Sequence, residues 1–168
     1  MTEPNDLLVA NLIAALQQLQ QYIVIALGAS VSALALTTKT VSQDRITVPG
    51  TSVAVDPNTA SLILLALCVL SGAMASYAAE TVNVIAKRLD STTLTAACTF
   101  PSVGTSPYIG VRTLAALVPL IFSMAAIIRS ARPHGKKGRM SILGWFIFLG
   151  PAFGYLALAL IKSNCLAR

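Results

Sequence analysis

Chemistry demands particular side chains held together, and this sequence has few to offer. It contains one histidine, three cysteines and six acidic residues. The single histidine, His134, lies in the basic run RSARPHGKKGR with no second ligand or base close to it. A metal site needs three or four ligands, and a hydrolytic triad needs a nucleophile beside an oriented base. Neither set can be assembled, so no catalytic, cofactor-binding or metal-ligating residue is assigned. No cofactor is expected, and the chain reads as non-enzymatic. Glu80 is the one carboxylate near the end of an apolar run where proton transfer is conceivable, although an ion-paired or interfacial structural role suits its place better.

Cysteine chemistry is equally restricted. Cys68 falls inside an apolar run and behaves there as a small apolar residue. Cys98 and Cys165 are separated by an even number of expected membrane crossings, which puts both on one membrane face whatever the orientation. If that face is oxidising, a disulfide between them would tie the second linker to the C-terminus. No C-x-x-C redox motif is present.

The remaining candidates concern packing. Gln17, Gln18, Gln20 and Gln21 form a polar run within an otherwise apolar segment, and at helical spacing they occupy a little under half of the circumference, with Leu19 opposite. Amides turned toward lipid leave donors and acceptors unsatisfied, so this face is expected to meet another helix, another subunit or water. Bonding between helices is the plainer reading, and a polar lining for a pore at an oligomer axis is the sharper one. Gly72 and Ser76, Gly28 and Ser32, and Gly150 and Gly154 repeat small residues four apart, a spacing that lets helix backbones approach closely.

These residues must be positioned by membrane helices. Of the 168 residues, 55% are hydrophobic and 11% charged, and the mean hydropathy is +0.75. A soluble domain carries about 25% charged residues. A bilayer crossing takes roughly 20 apolar residues. The apolar runs predict one membrane domain over 1–168, an all-α bundle of about four transmembrane helices spanning 7–37, 60–88, 107–131 and 140–162. Between the first two, ITVPGTSVAV alternates β-favouring residues around Pro49-Gly50 and reads as a short β-hairpin-like loop. Asp56-Pro57-Asn58-Thr59 supplies capping residues for the second helix, Pro119 interrupts the third, and the polar linker from Asp90 to Ser106 carries residues that punctuate a chain.

The start, MTEPNDLLVANL, is acidic and lacks the positive segment of a cleavable signal. The net charge of +6 marks membrane flanks and anionic lipid here, since no basic soluble module exists to take nucleic acid. Arg129, Arg132, Lys136, Lys137 and Arg139 crowd one short connector and are expected to touch lipid headgroups or an acidic partner. The positive-inside rule puts the 132–139 connector in the cytoplasm and both termini outside, with Lys87 and Arg88 pulling the other way. The expected partners are membrane lipids and other transmembrane subunits, a hetero-complex before a homo-oligomer. The chain is therefore read as a structural or accessory subunit of a larger membrane assembly. A homo-oligomeric pore lined by the glutamines is the alternative, and a small dimeric transporter using Glu80 is a weaker one.

Overall fold

The computed structural model describes residues 4–38, 46–47, 54–131 and 136–161. Five α-helices are present among them: α1 (Pro4–Thr38), α2 (Pro57–Ala86), α3 (Ser91–Ala97), α4 (Ile109–Ala131) and α5 (Lys136–Ile161), with a 3-10 turn at Val103–Thr105. Three of them, α1, α2 and α4, are long and apolar enough to cross a membrane, and α5 carries a shorter apolar stretch at Ile147–Ile161 among the described residues. The chain is a helical membrane protein. Two short segments, β1 (Ile46–Thr47) and β2 (Ala54–Val55), pair antiparallel with Ile46 opposite Val55 and Thr47 opposite Ala54. The Pro49-Gly50 turn expected between them lies outside the described residues.

Local chemistry sets the helix starts. The Asp56 carboxylate accepts the Thr59 N–H at 3.1 Å, and Pro57 fills the first helical position, where its missing N–H costs nothing. α1 runs unbroken through the glutamine run, and α4 and α5 remain helical through Pro119 and Pro151. The stretch after Asp90 contains a seven-residue helix where the sequence suggests irregular chain. Asp90 caps it, accepting the Thr93 N–H at 3.1 Å and the Thr92 hydroxyl. Those bonds, led by the Thr92 hydroxyl, hold the Asp90 carboxyl well below the usual carboxylate range.

The long helices form a ring in which α1 packs along α2 and α4, and α5 also packs along α2 and α4, leaving α1 and α5 diagonally opposed. Ser76 Oγ donates to Ala152 O at 2.7 Å and Asn83 Nδ2 to Ala159 O at 3.0 Å. Each donor and each acceptor is thus displaced by the same two turns, so α2 and α5 run parallel and in register. Cys68 Sγ lies 3.1 Å from Ser123 Oγ and links α2 to α4.

The interior divides in two. One apolar cluster fills the ring, from Ile23, Ala26, Ala29 and Ala33 across Cys68 and Ala75 to Ala116, Ile127, Leu149 and Phe153. A second lies toward the α1 N-terminus, where Leu12, Ala15 and Leu16 meet Val82, Leu89 and Ala97. Around the ring, large apolar side chains are exposed in a belt that starts at Val24 on α1, ends at Tyr77 on α2, and includes Ile109 to Ile128 and Ile147 to Ile161. Beyond that belt Leu7, Val84 and Tyr108 are also exposed. The α3 segment and the 3-10 turn sit on α1 there; a Cβ at Gly104 would lie 3.2 Å from both Leu16 Cδ2 and Leu19 Cδ2. This end of the molecule is a small head with its own apolar core.

Candidate functional site

The boundary between belt and head is where the polar chemistry gathers. α2 presents Glu80 and Asn83 about one turn apart, and Lys87 follows in the turn just past the helix, its N–H donating to Asn83 O at 3.3 Å. Opposite them α5 offers Tyr155, Leu158 and Ala159, and with Val84 these residues line a cleft of about 290 Å³. Asn83 is held by its bond to Ala159 O, which leaves its Oδ1 buried without a hydrogen-bond partner. Among the described residues neither Glu80 nor Lys87 forms an ion pair.

Arg112 stands on the other side of α5. Its residue is 3% exposed, and its Nη1 donates to Leu160 O at 3.0 Å while Nε has no partner among the described residues. Asn83 and Arg112 thus bind successive carbonyls in the last turn of α5, from α2 and α4 respectively. An amide and a guanidinium hold two successive carbonyls of α5 from two different helices. The sequence places Asn83 on the extension of the second helix but gives neither it nor Arg112 a partner. The available signal was a single arginine one turn inside an apolar run, a place where an ionisable side chain needs a stated partner.

The glutamines lie at this same boundary. Gln17, Gln18, Gln20 and Gln21 are all exposed, and Gln20 shares a shallow hollow with Pro107 and Val111 at the start of α4. Val24 is the first exposed large apolar residue after them on α1. Three of the four tyrosines of the chain, Tyr77, Tyr108 and Tyr155, are exposed. Tyrosines collect where an apolar ring meets lipid and a hydroxyl meets water.

The small residues face different ways. A Cβ at Gly72 would come within 2.8 Å of Phe153 Cζ, so Gly72 and its neighbour Ser76 form the α2 surface against α5. Gly28, Gly150 and Gly154 have nothing within 4 Å of such a Cβ. Gly28 and Gly154 are exposed within the belt, on helices at opposite corners of the ring. Cys98 is disulfide-bonded, Cys68 is a free buried thiol, and Cys165 lies outside the described residues. Arg129 is exposed in the last turn of α4. Arg132 and His134 also lie outside the described residues, as do the side chains of Lys136, Lys137 and Arg139, which fall in the first turn of α5. No group of three or more potential metal ligands occurs among the described residues.

No protein-family model matches the chain, and neither a curated protein nor a solved structure matches it significantly.

Proposed function

We propose that this protein is a non-enzymatic subunit of a larger membrane assembly, a four-span bundle that docks other transmembrane helices against its outer faces. One observation carries the reading: Gly150 and Gly154 on α5, like Gly28 on α1, open outward within the apolar belt with no neighbour inside the bundle. Apolar burial gives little drive for association in lipid, so close backbone approach at small residues supplies the packing that joins helices. Because α1 and α5 stand at opposite corners, one molecule offers such faces to two neighbours. Different partner chains are favoured over copies of this one. Gly150→Leu with Gly154→Leu should leave the isolated bundle folded and remove its partners on gentle purification. Unchanged recovery of those partners would overturn the docking role of α5.

The proposed topology places both termini and the α2–α4 linker outside, with the hairpin between the first two spans and the 132–139 connector in the cytoplasm. Supporting it, a disulfide persists in an oxidising compartment, and Cys98 carries one. With Cys68 free, we assign Cys165 as its partner. The cations of the connector then fall on the side the positive-inside rule favours, where each gains about 1 kcal/mol beside anionic lipid. A glutamine-lined pore is the second reading: the four amides are exposed, and Gln20 lies beside Val111 of the apolar belt.

A further inference from the structure

The cleft between α2 and α5 has polar groups that no contact within the bundle uses. Glu80 on α2 and Lys87 in the turn just past it both line the cleft, about 10 Å apart along the chain axis at 1.5 Å per residue, too far to neutralise each other closely. Between them Asn83 Nδ2 donates to Ala159 O and ties α2 to α5, while its Oδ1 is enclosed and so closed to a ligand as well as to water. Val84, Leu158 and Tyr155 make the rest of the lining apolar and aromatic, at the edge of the exposed belt.

The geometry points to a binding site for the headgroup of an ethanolamine phospholipid, with its ammonium donating to the Glu80 carboxylate and its phosphate on Lys87. The required ligand carries an N–H-bearing cation, an anion a short link away, and an apolar body that remains in lipid. A choline headgroup has the cation without an N–H, and a glycerol headgroup has the anion without a cation. The free headgroup, O-phosphoethanolamine, shares the polar chemistry but has nothing for Val84 and Leu158 to hold.

Native mass spectrometry of the delipidated full chain, titrated with matched ethanolamine, choline and glycerol phospholipids, tests the assignment. The ethanolamine lipid should be retained about tenfold more tightly than the other two, the effect of one charge-assisted hydrogen bond. Glu80→Gln and Lys87→Gln should each weaken it about tenfold. Both side chains are exposed, so the melting temperature of the protein should not move. Arg129→Gln, at the far end of α4, should leave the preference intact. Equal retention of the three lipids, or binding unmoved by either cleft variant, would overturn the site. Displacement by O-phosphoethanolamine at lipid-like concentrations would overturn the lipid as its ligand.

Discussion

Replacing Gly72 by alanine sets a methyl group against the ring of Phe153 at 2.8, 2.9 and 3.2 Å from three of its carbons. Carbon atoms rest about 3.5–4.0 Å apart, so the ring must retreat by about 0.7 Å or the two helices must part. Phe153 is 0% exposed and has little room to yield. Overpacking of this kind costs about 1–3 kcal/mol, and the better helix propensity of alanine returns about 1 kcal/mol. Gly72→Ala should therefore destabilise the bundle by about 1 kcal/mol. Gly154→Ala, with nothing within 4 Å, keeps only the propensity gain and should stabilise by up to about 1 kcal/mol. The difference between the two variants isolates the steric cost, since helix propensity enters both. Phe153→Ala alone should cost about 3–5 kcal/mol, but it removes the clash, so Gly72→Ala made on that background should become neutral or stabilising. Reversible unfolding in mild detergent measures all four corners of this cycle. Equal effects at Gly72 and Gly154, or additivity of Gly72→Ala with Phe153→Ala, would refute the packing described for α2 and α5.

Other consequences can be checked alongside it. Arg112→Gln shortens the side chain and frees the Leu160 carbonyl, so amide exchange should quicken in the last turn of α5 and not in its middle; uniform exchange along α5 would contradict the role given to Arg112. The capped Asp90 has its folded carboxyl below the unfolded value of about 3.9, so its contribution is complete above that pH and fades as pH falls through the folded value. Asp90→Asn should flatten that part of the acid response of the head, read by protease cleavage near α3. Reduction should expose Cys98 to an impermeant maleimide from the face opposite the one where a lysine reagent reaches the 132–139 connector; labelling of both from one face would overturn the proposed topology.

The apolar runs announce most of the long helices, because about 20 unbroken apolar residues have few other uses, and Asp56-Pro57 marks the start of α2 in the sequence itself. α3 was harder to see. Ser91 to Ala97 is rich in threonine and carries no long apolar stripe, so its helix depends on the Asp90 cap and on burial of Ala97 beside Leu12 and Leu16. The glutamines were readable as polar but not as to depth. The first third of α1 is apolar on one side because Leu12, Leu16 and Leu19 build a core, a demand that sequence alone does not separate from contact with lipid. Gly72 and Gly154 share the same local spacing of small residues, yet one meets a phenyl ring and the other faces outward. That distinction depends on which helix stands alongside. The partners of Arg112 and Asn83 escaped notice for a related reason, since they are main-chain carbonyls of α5, which leave no trace in residue type.

Intact-mass measurement of the particle released gently from its native membrane bears most directly on whether this chain serves as a subunit. The expected particle contains the 17.5 kDa chain together with different polypeptides in fixed ratio, and those polypeptides disappear when Gly150 and Gly154 are both replaced by leucine. A particle consisting of the 17.5 kDa chain alone, single or repeated, would contradict it.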